Sequence, residues 1–291
     1  MPHTERATDS IGVLKATDLD EALSLRAAHP DARVLAGGTD LMVEIDLGFL
    51  PERVLDIWSV EALRGVQERP DGLWIGALST HRSLVENLLV ESWAPALVEA
   101  CRTVGAVQIQ NRGTLGGNVA NASPAGDTLP VLLALDAEIE VASMARGFRR
   151  IPMAYLYSGY RQMNIEPDEL VVGICLPESH SCDVTYYRKV GTRLAQAISK
   201  VVMGARVRLQ DGLVTEARVA FGSLGPTPLR CSAVEEAMVG KPVDPQVARL
   251  VAEDIQPIDD IRSTAEYRTR VANRILEGWL VSLSAPEGEG I

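Results

Sequence analysis

Apolar residues fall at helical spacing close to the N-terminus, where Leu19, Ala22, Leu23 and Ala27 share one face. Asp18 can cap that helix, Glu21 stands three residues on, and Pro30 closes it. Arg33-Val34-Leu35-Ala36 then reads as a short buried strand running into Gly37-Gly38. Thr39 can cap a second helix whose apolar face is Leu41, Met42 and Ile45. Strands are expected at 53–57 and 73–78. Ser79 can cap a helix carrying Leu84, Val85, Leu88 and Leu89, and another helix covers about 94–104.

The stretch 105–126 holds too many Gly, Asn and Ser residues for regular structure. It has no flexible repeat and is flanked by apolar segments, which argues for a packed, functional loop. Asp127 can cap a leucine-rich helix, 137–141 alternates as a strand, and 169–176 reads as a strand ending at Pro177. Charged and small residues at 178–183 mark a domain boundary. Beyond it, 200–210 and 213–224 are β-rich and joined by Asp211-Gly212, a two-residue hairpin signal. Three helices follow: 232–239, capped by Ser232 with Glu235 in the box position; about 245–255; and 264–284, with Ser263 and Glu266 as its capping box. The tail after 285 should fray. Both halves are therefore α+β, with domains expected at 1–178 (lobes of about 1–58 and 59–178) and 183–285.

The composition is that of a folded globular chain, with 46% hydrophobic and 23% charged residues in 291. A net charge of −11 disfavours nucleic acid and anionic membrane, both of which need clustered cations. The densest basic run, Arg146, Arg149 and Arg150, reads as a solvated turn. No apolar stretch approaches the roughly 20 residues of a membrane span, and the polar N-terminus carries no signal-peptide core. A cytoplasmic location is expected. Four scattered cysteines, at 101, 175, 182 and 231, lack metal-knuckle spacing and read as free thiols in a reducing compartment. His3, His29, His81 and His180 have no second ligand type at metal spacing and read as surface or capping residues.

Candidate chemistry lies in two glycine pairs. Ala36-Gly37-Gly38-Thr39-Asp40 follows a strand and precedes a helix, where glycine lets a ligand approach the backbone and a helix start offers N–H groups to phosphate. By itself this pair reads as a tight structural turn more readily than as a ligand site. Neither GxGxxG nor GxxxxGK[ST] occurs, so a Rossmann fingerprint and a P-loop are unsupported. Asp40 in the first helical turn would compete with a bound phosphate, so it must point away or meet a ligand hydroxyl. The second segment, from Asn111 through Thr114-Leu115-Gly116-Gly117-Asn118 to Asp127, supplies small residues, amides and hydroxyls with no nucleophile–His pair. It is built to hold a ligand with phosphates, hydroxyls and a planar ring.

Val34-Leu35-Ala36-Gly37-Gly38-Thr39-Asp40-Leu41 and Thr114-Leu115-Gly116-Gly117-Asn118, continued by Ala122-Ser123-Pro124-Ala125-Gly126-Asp127, resemble the two FAD motifs of the molybdenum hydroxylase flavoproteins. These are the medium subunits of bacterial carbon monoxide, xanthine and quinoline-type dehydrogenases and the central domain of eukaryotic xanthine dehydrogenase. The likeness extends to Tyr187-Arg188-Lys189-Val190-Gly191-Thr192-Arg193, to Ala197-Ile198-Ser199-Lys200-Val201 and to Glu266-Tyr267-Arg268, so it covers nearly the whole chain. It implies a two-lobed FAD-binding domain of the vanillyl-alcohol-oxidase (PCMH) type followed by a smaller α+β domain.

The resemblance also implies roles. Residues 34–41 would wrap the diphosphate, Thr114 to Asn118 would hold the other side of the cofactor, and Asp127 would accept a hydrogen bond from it. Val104 and Val171 would be apolar flavin contacts. Lys189 would lie beside the flavin, where a cation favours the reduced, anionic ring; without the resemblance it reads as an exposed strand lysine. The implied partners are a small [2Fe–2S] subunit and a large molybdopterin subunit in a heterohexamer, with NAD or another acceptor taking the electrons. The cysteines cannot supply the extra iron–sulfur loop of benzoyl-CoA-type members, and Thr39-Asp40 resembles the xanthine-type members more than the His-Ser form of carbon monoxide dehydrogenase. Two alternatives remain: a free-standing flavin oxidase or reductase, with Tyr186 and Tyr187 as its nearest acid–base candidates, and a nucleotide-binding module without redox activity.

Overall fold

The computed structural model describes residues 11–177 and 183–284, so His3, His180, Cys182, most of the 178–183 boundary and the tail after 285 lie outside the described residues. The class is α+β, as expected, built on three principal sheets. The first is parallel, in the order Gly12–Lys15, Arg53–Asp56, Arg33–Leu35. Parallel neighbours need crossovers, and the helices Leu19–Ala28 and Leu41–Asp46 provide them. The second sheet runs Val66–Arg69, Gly72–Gly76, Leu170–Leu176, Glu138–Ser143, Gly147–Pro152, all antiparallel. The third runs Asp183–Val190, Val201–Gln210, Leu213–Gly222, Leu229–Arg230.

The turn Asp211-Gly212 makes the expected hairpin: φ is 51° at Asp211 and 76° at Gly212, the pair of positive values that a type I′ turn demands. Its first strand does not alternate as a half-exposed strand would. Residues 201–207 are all buried, because each face of the sheet is covered. Val201, Met203, Ala205 and Val207 meet Leu276, Trp279 and Leu280 of the long helix Ala265–Ser284 in one core. The other face receives the helix Leu129–Ala134: a Cβ on Gly204 would lie 2.7 Å from Val131 Cα, and one on Gly222 would lie 3.0 Å from Pro130 Cγ. The same helix also belongs to the core of the second sheet, with Leu132, Leu97, Val119, Ile139 and Ile174. Asp136, just beyond it, draws in Arg206, Arg218 and Arg230 at 2.8–3.0 Å. One short helix thus joins both halves.

Several expected caps are taken by neighbours. Asp18 caps as foreseen, accepting from Glu21 N at 2.9 Å, but Glu21 reaches back to Thr17 instead of closing a box on Asp18. Asp40, and not Thr39, occupies the cap position before Leu41, with no side-chain bond to the helix. Thr80, not Ser79, caps His81–Val85, and Asn87 starts a separate helix, Leu88–Trp93. Cys231 stands where Ser232 was expected to cap, while Glu235 turns to Arg230 and to Val219 N. Thr264 and Asp259 serve the last helix in place of Ser263 and Glu266. Ser79 and Glu235 are drawn away by tertiary partners, Ser79 donating to Gly65 O and Glu235 meeting Arg230 and Val219 N.

Arg33–Leu35 is not buried as expected: it is an edge strand of the first sheet, and Arg33 and Val34 line a cleft. The run Arg146, Arg149, Arg150 is not a solvated turn: it enters Gly147–Pro152, and its members pair with Asp168, Glu169 and Asp71. The thiols of Cys101, Cys175 and Cys231 are free and buried, as expected.

The glycines separate packing from propensity. Gly204→Ala forces a methyl into the Pro130–Val131 backbone and should cost about 1–3 kcal/mol, as overpacking does. Gly278, helical with open space around it, should stabilise by roughly 0.5–1 kcal/mol on change to Ala. Denaturant unfolding of the two variants checks both signs; a stabilising Gly204→Ala would remove the account of how the two halves join.

Candidate functional site

The two glycine pairs meet at a cleft, a space of about 990 Å³ between the parallel sheet, the helix Leu115–Asn121 and the segments 196–199 and 223–226 that flank strands of the third sheet. That is the upper end of the usual range of about 300–1,000 Å³ for ligand sites and suits a dinucleotide. Contact between the two segments is made by backbone: a Cβ on Gly37 would stand 1.8 Å from the carbonyl oxygen of Arg112. Only glycine permits that approach. Asn121 Nδ2 then donates to Asp40 Oδ1 at 2.8 Å, tying the second segment to the first. This answers how Asp40 sits beside a helix start: its carboxylate is turned to an amide, and burial raises its pKa although Arg161 opposes the rise.

The two segments present different chemistry. The second is not irregular as expected; Val107–Gln110 and Leu115–Asn121 are helices. Thr114 Oγ1 accepts from Gly117 N at 3.0 Å, Leu115 N donates to Ser79 O and Gly116 N to Ala77 O, both at 2.9 Å. The amides at this helix start are therefore used within the protein. In the first segment, no described residue accepts from the backbone N–H groups of residues 37–41, and Gly37, Gly38, Thr39, Asp40 and Leu41 all line the cleft. A run of unsatisfied amides beside Gly38, at φ 79°, is an anion receptor.

Of the other expected site residues, Val34, Ala36, Thr114, Gly116, Gly117 and Asn118 line the cleft, as do Val104, Asp127 and Val171. Val104 and Val171 supply apolar wall with Ile57, Leu78 and Ile109. Leu35, Leu115 and Lys189 are not on the wall: Leu115 is fully buried in the core, and Lys189 lies behind Asp127.

Lys189 is not an exposed strand lysine. Its Nζ donates to Asp127 Oδ2 at 2.6 Å and to Thr103 O at 2.9 Å, with both charged side chains buried. Ser199 donates to the other oxygen of Asp127. Asp127 does not cap the following helix, whose cap position belongs to Thr128. Burial pushes the Asp127 pKa up, and Lys189 with Ser199 offsets that push. Thr103 continues the network to Tyr187, whose hydroxyl lies 2.6 Å from Thr103 Oγ1. Burial raises the pKa of that phenol strongly.

The cleft also uses residues with no local signature. Gln196, Ala197, Ile198 and Ser199 form one rim, pinned by Gln196 N donating to Gly105 O at 2.8 Å. Arg268, buried, donates to Ser223 O and Lys200 O and pairs with Asp260, fixing the opposite rim. Glu169 is held ionised, its pKa lowered first by the hydrogen bonds from Arg149. His81 was expected as a surface or capping residue but is 2% exposed, follows the capping Thr80 and lines the cleft. His29 does take a capping position, with its backbone N–H on Leu25 O. These residues lie far apart in sequence, and only chain folding brings them to one cavity.

The family model described as the FAD binding domain in molybdopterin dehydrogenase matches residues 9–179. The CO dehydrogenase flavoprotein C-terminal domain model matches residues 185–281. The xanthine dehydrogenase FAD-binding subunit of Escherichia coli O157:H7 is 32% identical over 261 residues, spanning 87% of this chain and 89% of its own. The caffeine dehydrogenase subunit beta of Pseudomonas sp. strain CBB1 is 32% identical over 271 residues, 90% of each chain. The structure of carbon monoxide dehydrogenase from Hydrogenophaga pseudoflava contains a chain that superposes with a TM-score of 0.88 at 27% identity, covering 92% of this chain and 95% of that one.

The raised pKa of Asp40 has a testable sign. A carboxyl whose folded pKa exceeds its unfolded value of about 3.9 favours folding below that value, and the benefit is lost as pH rises through the folded one. Asp40→Asn keeps an oxygen for Asn121 and removes the buried charge. Without ligand, the variant should melt above the wild type at pH 7, and the two should converge as pH falls to about 4. Melts that differ equally at both pH values would contradict the assignment.

Proposed function

The chain belongs to the family of FAD-binding domains of molybdopterin dehydrogenases, and we propose that it passes electrons through its flavin between partner subunits and a soluble acceptor. FAD when bound supplies the one- and two-electron chemistry. In this reading electrons come singly from [2Fe–2S] clusters on a small subunit, after a large molybdopterin subunit has hydroxylated the substrate. NAD or another acceptor removes them, and the complex is a cytoplasmic heterohexamer. No helix among the described residues is long and apolar enough to cross a membrane.

The observation that carries the cofactor assignment is the run of unpartnered amides at residues 37–41, facing a cleft of dinucleotide size. Of residues 34–41, all but Leu35 line the cleft and would hold the diphosphate, chiefly through the amides of residues 37–41. Thr114, Gly116, Gly117 and Asn118 form the facing wall, giving shape more than hydrogen bonds. Val104 and Val171 flank the ring, and Asp127 accepts from the cofactor through what remains of its acceptor capacity. Lys189 acts through Asp127: it keeps that carboxylate in place and compensates its charge, so its influence on the flavin is indirect. The domains 1–178 and 183–285 divide these duties, the second contributing the rim at Gln196, Ile198 and Ser199.

A free-standing oxidase would need an acid or base over the ring. Tyr187 is bonded to Thr103, Tyr186 stacks on Trp279 with ring centres 5.3 Å apart, and neither lines the cleft. This chain's part is to bind, orient and tune.

The purified chain should carry the visible absorption bands of flavin, and Gly37→Ala should lose them while keeping its circular dichroism, because the methyl separates the two segments. Expressed beside its genomic neighbours, the chain should co-purify with molybdenum and iron. A colourless wild type would remove the flavin reading; an active, metal-free single chain would remove the subunit reading.

A further inference from the structure

His81 stands where the two glycine segments meet, and no role assigned so far uses it. Thr80 before it forms an isolated bridge with Thr114, and His81 N donates to Gly113 O at 3.0 Å. A Cβ on Gly113 would come within 3.2 Å of His81 Cδ2 and 3.4 Å of Thr39 Oγ1. The imidazole, the bare Gly113 and Thr39 therefore make one continuous stretch of wall, and all three line the cleft.

The ring is almost wholly buried, yet its Nδ1 is sealed from solvent without any hydrogen-bond partner. No carboxylate among the described residues hydrogen-bonds or ion-pairs with the ring, and burial depresses its pKa to about 4, so it is neutral. A neutral imidazole carries one N–H and one bare lone pair. Placing the proton on Nδ1 would strand a donor in dry protein, the rarer and costlier arrangement. The proton therefore belongs on Nε2, the nitrogen bonded to the Cδ2 that packs beside Gly113 and Thr39. That turns an uncharged donor toward a wall whose neighbouring backbone groups, the amides of residues 37–41, are also donors without acceptors. With the one carboxylate of the run, Asp40, engaged by Asn121, these donors are complementary to an oxygen-rich anion that has no hydrogen to give.

We propose that His81 is a diphosphate ligand, donating from Nε2 to a phosphate oxygen of the bound dinucleotide beside the amides of residues 37–41. The inference rests on the FAD reading of the cleft and deepens it. The imidazole is a specificity contact that favours flavin carrying a diphosphate over flavin lacking one.

The test is titration of the full chain, stripped of flavin, with FAD, ADP and riboflavin. His81→Leu should weaken FAD and ADP about tenfold or more, about 1.4 kcal/mol, and leave riboflavin unchanged. His81→Gln places an amide N–H where Nε2 stands and should recover most of the loss; His81→Asn places it where Nδ1 stands and should not. Unchanged FAD and ADP affinity, an equal loss for riboflavin, or rescue by Asn and not by Gln would each overturn the proposal. If His81→Leu fails to fold, the Gln–Asn pair still decides. A wild type that binds neither FAD nor ADP would fail the site reading and this inference together. Loss of both ligands in Gly37→Ala but of neither in His81→Leu would fail the inference alone.

Discussion

Gly37 and the carbonyl of Arg112 stand so close that a single methyl group has no place between them. That contact decides which surfaces face the cleft. It goes with amides at residues 37–41 that meet no acceptor among the described residues, and it sets Asn121 within reach of Asp40. It also leaves Gly113 bare between Thr39 and His81. Two short segments of low intrinsic order acquire a defined geometry because each restrains the other. Glycine is costly in an isolated helix or strand, and here the cost is offset by closeness that no other residue permits.

Charge is handled on the same plan. A buried carboxylate is tolerable when its lone pairs are met and its charge is matched. Asp127 is met by Lys189 and Ser199, Glu169 by Arg149, and Asp136 by three arginines. In a chain with net charge −11, Asp127 and Glu169 on the cleft wall are thereby each matched by a cation, while Asp136 is matched away from the cleft. Among the donors that line the cleft, the backbone amides of residues 37–41 and the neutral His81 imidazole bring no charge, whereas Arg26 and Arg268, each with a buried Nε–H that finds no acceptor among the described residues, are cations.

The class, the hairpin at Asp211-Gly212 and most helices were legible because they rest on local pattern. So was the cleft wall, where both glycine motifs and even Val104 and Val171 came together. What failed, failed through tertiary competition. Glycine and asparagine gave 115–121 little helix propensity, yet Ser79, Ala77 and Thr114 supply the acceptors that start a helix there. Thr39, Ser79, Ser232 and Ser263 had the right side chains to cap, but neighbouring residues took the position. The depth of His81 and Lys189 had no periodic signal, because what buries them comes from segments distant in sequence. The two motifs also proved unequal in the reverse of the expected sense: the sparse first one holds the free amides, and the rich second one has used its own.

Residues 201–207, buried on both faces, carry a consequence for how the molecule is organised. Two family segments abut in the sequence, but the helix Leu129–Ala134 of the first roofs the sheet of the second. Neither segment is a module in the thermodynamic sense. Cut at the junction, one piece would bare the underside of a sheet and the other an unsupported helix, each an invitation to aggregate. The junction in the sequence is therefore not a junction in the packing, since one helix fills space on both sides of it.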